Sequence, residues 1–303
     1  MDLGHQAFDP AELRTDPAVP RHAATLILLR DTPPGRGRFH ERPSYLEVLM
    51  LRKTVKADLS GGAHVFPGGT LEVADGSAKI AELCSGRDDA DASAQIGVSS
   101  GGLAFWVAAV RESFEEAGIL LAYAADEKPV SFSDPEVAAR FQACREALNR
   151  KEQTLLGICR DEGLTLALDR IHYFSHWITP EGVPRRYDTR FFIAEAPVDQ
   201  TAHNDGSETV ENRWVAPEKA LRLAAKGKMA LVFPTMKSLE AIRRFASAAD
   251  LLAHTRTIKE VPTSLPRLSI DGREIRILLP GDPGYEDVAA EPPAGDLPEK
   301  GAL

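Results

Sequence analysis

Glu112, Glu115 and Glu116 lie within five residues of one another, in a segment whose apolar residues recur with helical spacing. A helix turns about 100° per residue, so with Glu112 at zero, Glu115 falls near ~300° and Glu116 near ~40°. The three carboxylates therefore form one narrow stripe. Val107, Val110, Phe114 and Ala117 fall at about 220°, 160°, 200° and 140° on the same wheel, opposite that stripe. Like charges at this spacing cost a helix about 0.2–0.5 kcal/mol per pair, and Arg111 is the one basic residue close by in the segment. Two readings follow. The stripe is either a solvated acidic face, or a site where a hard divalent cation offsets the repulsion. Mg²⁺ or Mn²⁺ suits a shell of carboxylates and water, whereas zinc favours His or Cys.

A second element is His64-Val65-Phe66-Pro67-Gly68-Gly69. Two glycines after a proline make a turn that lets backbone approach a ligand closely. Around these two elements the chain alternates. Ala23–Leu29 and Tyr45–Leu51 read as strands, separated by a Pro/Gly/Arg loop at Pro33–Arg38. A helix spans Leu103–Ala117 and stops at Gly118. Ser133 or Asp134 caps a second helix that begins at Pro135 and reaches about Asn149. A further helix is expected from about Lys151 to Glu162. Arg186–Ala194 reads as a strand, and Pro266–Ile270 with Arg273–Leu279 flank Asp271-Gly272, a two-residue hairpin signal. Strands interleaved with helices predict an α/β or α+β fold, and no self-similar period suggests a repeat architecture.

Lys+Arg 36 against Asp+Glu 45 leave a net charge of −9. That balance argues against gripping nucleic-acid phosphates, which takes a cationic surface, but not against a small anionic ligand held in a local pocket. Cys84, Cys144 and Cys159 are odd in number and form no CxxC pair, so neither a disulfide framework nor a thiolate zinc site is expected. Met1–His5 shows no basic segment followed by an apolar stretch, and Ala23–Leu29 is too short to span a bilayer. The expectation is a cytoplasmic protein without membrane attachment. Residues 1–20 read as a loosely tied arm and 286–303 as a tail, leaving 21–285 as one domain.

Gly69, then Asp75 after five residues, then Arg111-Glu112-x-x-Glu115-Glu116-x-Gly118 resembles the Nudix box, G-x5-E-x7-R-E-U-x-E-E-x-G-U, of the Nudix hydrolases. The match departs from the pattern in three places. Asp75 stands where Glu is usual, Ser113 replaces a bulky aliphatic residue, and residues 76–110 stretch a spacer that is ordinarily seven long. The insert at about 76–102, rich in Gly, Ser, Ala and Asp, reads as a surface excursion; a second lies at about 130–165. A long interruption after Phe-Pro-Gly-Gly resembles the coenzyme A and acyl-CoA diphosphatase subgroup. So do Arg21-His22-Ala23-Ala24-Thr25, Trp177-Ile178-Thr179-Pro180 and Arg185-Arg186-Tyr187-Asp188-Thr189-Arg190-Phe191-Phe192.

The resemblance implies a Nudix-type α/β/α sandwich with a mixed sheet, elaborated by helical insertions. It also implies a hydrolase acting on the diphosphate of a CoA-like nucleotide, and homodimers are frequent among such relatives. By the same resemblance Glu112, Glu115 and Glu116 hold Mg²⁺ or Mn²⁺, Gly69 offers a backbone carbonyl to the metal, and Arg111 braces the carboxylates. Gly68 shares the Gly-Gly turn. Asp75 is shorter than the Glu it replaces, so capping or loop bracing suits it better than ligation.

The general base stays open. Glu208 and Glu211 are candidates on a downstream loop, against the alternative that both are solvated charges; His64 and His176 titrate in range but are more often structural. Arg186 and Arg190 share one face of a strand while Arg185 points the other way, so Arg186 and Arg190 can meet phosphates together. Arg52 and Lys53 form a second basic pair, from which Arg52 is taken as the ligand contact. Either set can instead cover a sheet edge. Trp106, Trp177 and Trp214 can stack on adenine, though core packing is the commoner use. The competing functions are a diphosphatase of NADH, ADP-ribose or a nucleotide sugar, and a nucleotide sensor that no longer catalyses.

Overall fold

The computed structural model describes residues 18–32, 45–55, 61–271 and 274–288. The loop at Pro33–Arg38 and most of the expected arm and tail lie outside the described residues. In chain order, β1 (Arg21–Asp31), β2 (Leu46–Lys53), β3 (His64–Val65) and β4 (Gly68–Thr70) come first. A 3₁₀ turn at Val73–Gly76 leads into α1 (Ala78–Ala81), α2 (Asp89–Ile96) and α3 (Leu103–Ala117). Next are β5 (Ala122–Tyr123), α4 (Pro135–Asn149), α5 (Leu155–Asp161) and β6 (Thr165–Leu166). Then follow β7 (His172–Ile178), β8 (Tyr187–Glu195), β9 (Thr209–Val215), α6 (Pro217–Ala225), α7 (Phe233–Ile242) and α8 (Ala248–Thr255). β10 (Thr263–Ser264) precedes the hairpin of β11 (Arg267–Asp271) and β12 (Glu274–Leu278), closed by the pair Asp271↔Glu274; the expected hairpin forms, with Asp271 inside the strand and Gly272 outside the described residues.

β1 is the axis of an eight-stranded mixed sheet ordered β10-β7-β8-β1-β2-β3, with β4 also on β1 and β9 also on β2. Along one edge β1 runs parallel to β8, from Arg21↔Tyr187 to Leu29↔Glu195. Its other edge is divided. β4 covers Ala23–Thr25 and β2 covers Leu29–Asp31, both antiparallel. The two partners part company near Leu26, and the candidate site lies where they diverge.

Side chains alternate along a strand, and β1 buries both sets. Leu26 and Leu28 join a core with α3, while Ile27 and Leu29 join a second core with residues of α6, α7 and α8. A sheet with a helical layer on each face is the α/β/α sandwich that the resemblance implies.

Helix α3 corrects the amphipathic reading. Every residue of it except Glu115 is buried, so its acidic face is enclosed, giving onto a cleft and not onto the open surface. The stretch at about 76–102 is likewise no surface excursion. Ile80, Ala92 and Ile96 enter the α3 core, and the insert caps α3 where the helix lacks an N-terminal capping side chain of its own. Asp89 accepts hydrogen bonds from the Leu103 (3.0 Å) and Gly101 (2.9 Å) amides, and Ser93 from Gly102 (2.9 Å). These contacts satisfy amides that a helix start leaves unpaired.

The expected Lys151–Glu162 helix begins later, at Leu155, with Thr154 as its cap (Gly157 N to Thr154 Oγ1 3.1 Å). Lys151 holds a φ of +58° and breaks the chain between the two helices. Strands β7 and β9 and helices α6 to α8 have no counterpart in the sequence reading, although α6 is clearly amphipathic.

Candidate active site

The C-terminal half of α3 faces β4 across the opening in the sheet. Its centre is Arg111, 3% exposed. The guanidinium donates from Nε and Nη2 to both oxygens of Asp75 (2.9 and 3.0 Å) and from Nη2 to the Thr70 carbonyl (2.9 Å). From Nη1 it reaches Glu112 Oε1 (2.8 Å) and Glu115 Oε2 (3.0 Å). One arginine thus ties the loop after β4 to two of the three carboxylates through charge-assisted bonds. Asp75 also accepts the Glu72 amide (2.8 Å), closing a capping box at the 3₁₀ turn. Its short side chain works as a brace, the role preferred for it on length alone.

Ser113, the other departure from the box, is fully buried and donates to the Ile119 carbonyl (2.8 Å). With Gly118 at φ +70°, this bond closes the end of the helix. Arg145 of α4 donates to the Glu115 carbonyl (3.0 Å) and Asn149 to the same atom (3.2 Å), so the second insertion clasps the helix end.

Glu116 overturns the expectation that Arg111 is the only cation near the stripe. Lys53 at the end of β2 places its ammonium on Glu116 Oε1, and the Gly68 amide donates to Oε2 (3.2 Å). Lys151 lies 3.6 Å from Glu115 and 2.7 Å from Glu72. Gly69 has no room for a side chain, since a Cβ there would sit 2.4 Å from Glu112 Oε1.

Burial, reinforced by Glu116 and Glu115, pushes the Glu112 carboxyl up to about 8 against the pull of Arg111. Burial also raises Glu115 and Glu116, in spite of Arg111 beside one and Lys53 beside the other. Among the described residues, no three acidic, His or Cys side chains stand in an arrangement ready to hold a metal ion. The donor chemistry nonetheless fits a hard divalent cation. All the side-chain ligating atoms on offer are carboxylate oxygens, and Glu115 Oε1 is buried with no hydrogen-bond partner.

These groups close one end of a cleft of about 750 Å³. Arg111, Glu112, Glu115, Gly68, Gly69, Lys53 and Glu208 line that end. The floor is the face of β1 and β8 that carries Ala23, Thr25, Thr189 and Phe191, with Arg21 and Tyr187 also on the lining. Phe66, Trp177, Phe233, Pro266 and Ile277 supply apolar surface to the remaining walls, beside Thr179 and Thr235. Trp177 packs edge-on against Phe233 (5.9 Å between centroids), so it is both core and cleft wall. Trp106 and Trp214 are structural, as expected. Trp106 donates to the Ile171 carbonyl (3.1 Å), and Arg30 stacks over Trp214 (4.4 Å).

Four of the sequence candidates fall elsewhere. Arg52 and Glu211 pair with each other (3.2 Å) and do not line the cleft. Adjacent strand residues point to opposite sides, so Lys53 enters the site where Arg52 was expected. Arg186 is buried against the Thr179 and Ala18 carbonyls (both 3.0 Å). Arg190 is bound to Asp188 and stacks on Phe105 (4.8 Å). Arg186 precedes β8 and Arg190 lies on the strand face away from the cleft, so the expected pairing of the two on one strand face toward a phosphate is not what the structure shows. His176 lies between Asp188 and Thr263, and His64 does not line the cleft. Lys53, Glu72, Lys151 and Arg21 are the charged lining residues absent from the sequence candidates. Glu208 does line the cleft, its carboxylate 3.5 Å from Lys53.

The family model of the NUDT19 Nudix domain matches residues 20–242. The chain is 26% identical to the acyl-coenzyme A diphosphatase NUDT19 of Homo sapiens, over 91% of this chain and 83% of that protein. It is 27% identical to the protein of the same name from Gallus gallus, over 88% and 80%. The crystal structure of a NUDIX hydrolase from Alicyclobacillus acidocaldarius superposes with a TM-score of 0.60 at 24% identity, covering 80% of this chain and 98% of that one. That likeness is one of fold. Among the described residues no helix is long and apolar enough to cross a membrane.

Proposed function

The chain belongs to the NUDT19 Nudix domain family, and from that premise we propose that it hydrolyses the diphosphate of coenzyme A or acyl-CoA. The products are adenosine 3′,5′-bisphosphate and (acyl-)phosphopantetheine. It is a Nudix hydrolase, an enzyme class that generally uses divalent metal ions. Mg²⁺ or Mn²⁺ is the proposed ion here, with Glu112, Glu115 and Glu116 as its side-chain ligands and the Gly69 backbone beside them. The observation that carries the substrate reading is the cleft itself, carboxylate-rich at one end and apolar along its walls. A diphosphate with its ion suits the first, and a pantetheine arm or base suits the second. The proposed catalytic unit is residues 21–285, with insertions at about 76–102 and 130–165 serving it as helix cap and clasp.

A divalent cation held by the glutamates would neutralise phosphate oxygens and make water a better nucleophile. The chain's own residues do the remaining work. Arg111 fixes Glu112 and Glu115 through Nη1, so two ligands are oriented before any ion arrives. Lys53 neutralises Glu116 in the absence of an ion and lies between that carboxylate and Glu208. Glu208 reaches the cleft on an exposed loop, where it can accept a proton from water and pass it to solvent. Glu211 does not line the cleft. Glu208→Gln is therefore expected to lower kcat about 10²-fold, with Glu211→Gln within about twofold of the parent. Steady-state rates check this, and an unchanged Glu208→Gln rate removes Glu208 as the base.

Coenzyme A, acyl-CoA, NADH, ADP-ribose and nucleotide sugars should be assayed side by side with Mg²⁺ and Mn²⁺, with products identified by chromatography. Coenzyme A or its thioesters are expected to turn over fastest. Equal or better turnover of ADP-ribose would remove the CoA assignment, and failure of every substrate would favour a sensor.

A further inference from the structure

Four cations line the cleft: Arg21, Lys53, Arg111 and Lys151. Three are committed. Lys53 is held by Glu116, Arg111 by Asp75, Glu112 and Glu115, and Lys151 by Glu72. Arg21 alone, among the described residues, brings a guanidinium to the lining with no acidic partner, on an exposed side chain. Its backbone is nonetheless fixed. The Arg21 amide donates to the Arg186 carbonyl (2.9 Å), and the residue stands in register with Tyr187 on β8.

The position along β1 gives this cation a task. Arg21, Ala23 and Thr25 alternate onto the cleft face. Ala24 is paired with Gly69, beside Glu112, so Arg21 lies three residues, about 10 Å of strand, from the carboxylate end. Between them the floor is low, made by Ala23 and Thr189. A diphosphate must lie at the carboxylate end with its ion. A second phosphate on the same substrate, with no ion of its own, is repelled there by Glu72, Glu112, Glu115 and Glu208. It must find a positive group further along, and Arg21 is the uncommitted one.

We propose that Arg21 is a specificity-determining residue that binds a phosphomonoester on the substrate's ribose, the 3′-phosphate if the substrate is CoA-like. The identity of that phosphate rests on the functional reading above; the presence of an anion site at Arg21 does not. Bidentate bonding from a guanidinium to phosphate supplies both the affinity and the orientation.

Two measurements on the full chain test it. The first compares kcat/KM for coenzyme A and 3′-dephospho-coenzyme A in the parent, Arg21→Met and Arg21→Lys. The parent is expected to favour coenzyme A, with the ratio collapsing about 10- to 100-fold in Arg21→Met, mainly through KM, and partly restored in Arg21→Lys. The second measures binding of adenosine 3′,5′-bisphosphate against 5′-AMP by calorimetry, which needs no turnover. The bisphosphate is expected to bind the parent more tightly, and Arg21→Met to erase that preference. An unaltered substrate ratio, or a parent that binds both nucleotides equally, overturns the Arg21 assignment. Loss of the binding preference in Arg21→Met, in a chain that turns over neither coenzyme, keeps the anion site and removes the CoA reading.

Discussion

Glu116→Gln is expected to lower turnover by about 10³-fold or more while leaving the fold in place. Loss of several kcal/mol of charge stabilisation at the reacting phosphate corresponds to a factor of that size. The amide keeps the shape of the carboxylate, and its oxygen still accepts from Gly68. What disappears is one negative charge from the set that must hold the ion. Glu112→Gln and Glu115→Gln should behave alike, and Glu112→Gln carries a second signature. In the parent without metal, burial lifts the Glu112 carboxyl to about 8, whereas an unfolded glutamate titrates near ~4.3. Between those values the folded state holds a proton that the unfolded chain has released, so stability falls as pH rises through that window. Glu112→Gln removes this part of the slope. Melting temperatures measured from pH 5 to 9 in the presence of a chelator check the sign. A variant that keeps the parent's pH slope would show that the crowding is not felt at Glu112.

Arg111→Met is expected to cost about 3–5 kcal/mol of stability, the usual penalty when one partner of a buried ion pair is removed. Asp75 is 2% exposed and takes two of the guanidinium's bonds. Burial already raises its carboxyl, so without Arg111 it is left as an uncompensated buried charge. Arg111→Lys should rescue little, because an ammonium cannot span Asp75, Thr70, Glu112 and Glu115 as the fork does. Combining Arg111→Met with Asp75→Asn should recover part of the loss. Urea unfolding of the single and double variants measures both effects, and an Arg111→Met protein as stable as its parent would contradict the brace.

The helix carrying the glutamates was legible because a 3.6-residue period survives in the sequence even where the helix proves to be buried on nearly every side. What the period cannot tell is what faces it. Lys53 and Arg52 are neighbours of like charge, and only the pairing of β2 with β9 and β3 decides which enters the cleft. Arg186 precedes β8 and Arg190 takes the face away from the cleft; a strand covered on both sides does not announce which face holds the ligand. The insert at 76–102 looked like loop because its small polar residues are those of turns. Asp89 and Ser93 instead spend their oxygens on the start of α3, a bond that links residues far apart in local sequence pattern. The apolar walls come from Val232 and Phe233 before and within α7 and from the β11–β12 hairpin, which meet Phe66 and Trp177 only once the chain has folded.

The most direct test is a calorimetric titration of the full chain with Mn²⁺ and with Mg²⁺, in the absence of nucleotide, for the parent and for Glu112→Gln/Glu115→Gln/Glu116→Gln. Saturable binding of a divalent ion to the parent, absent from the triple variant, is the predicted result. Parent protein that takes up no ion at millimolar concentrations, or a triple variant that binds it as tightly as the parent, would contradict the assignment of these glutamates as the metal site.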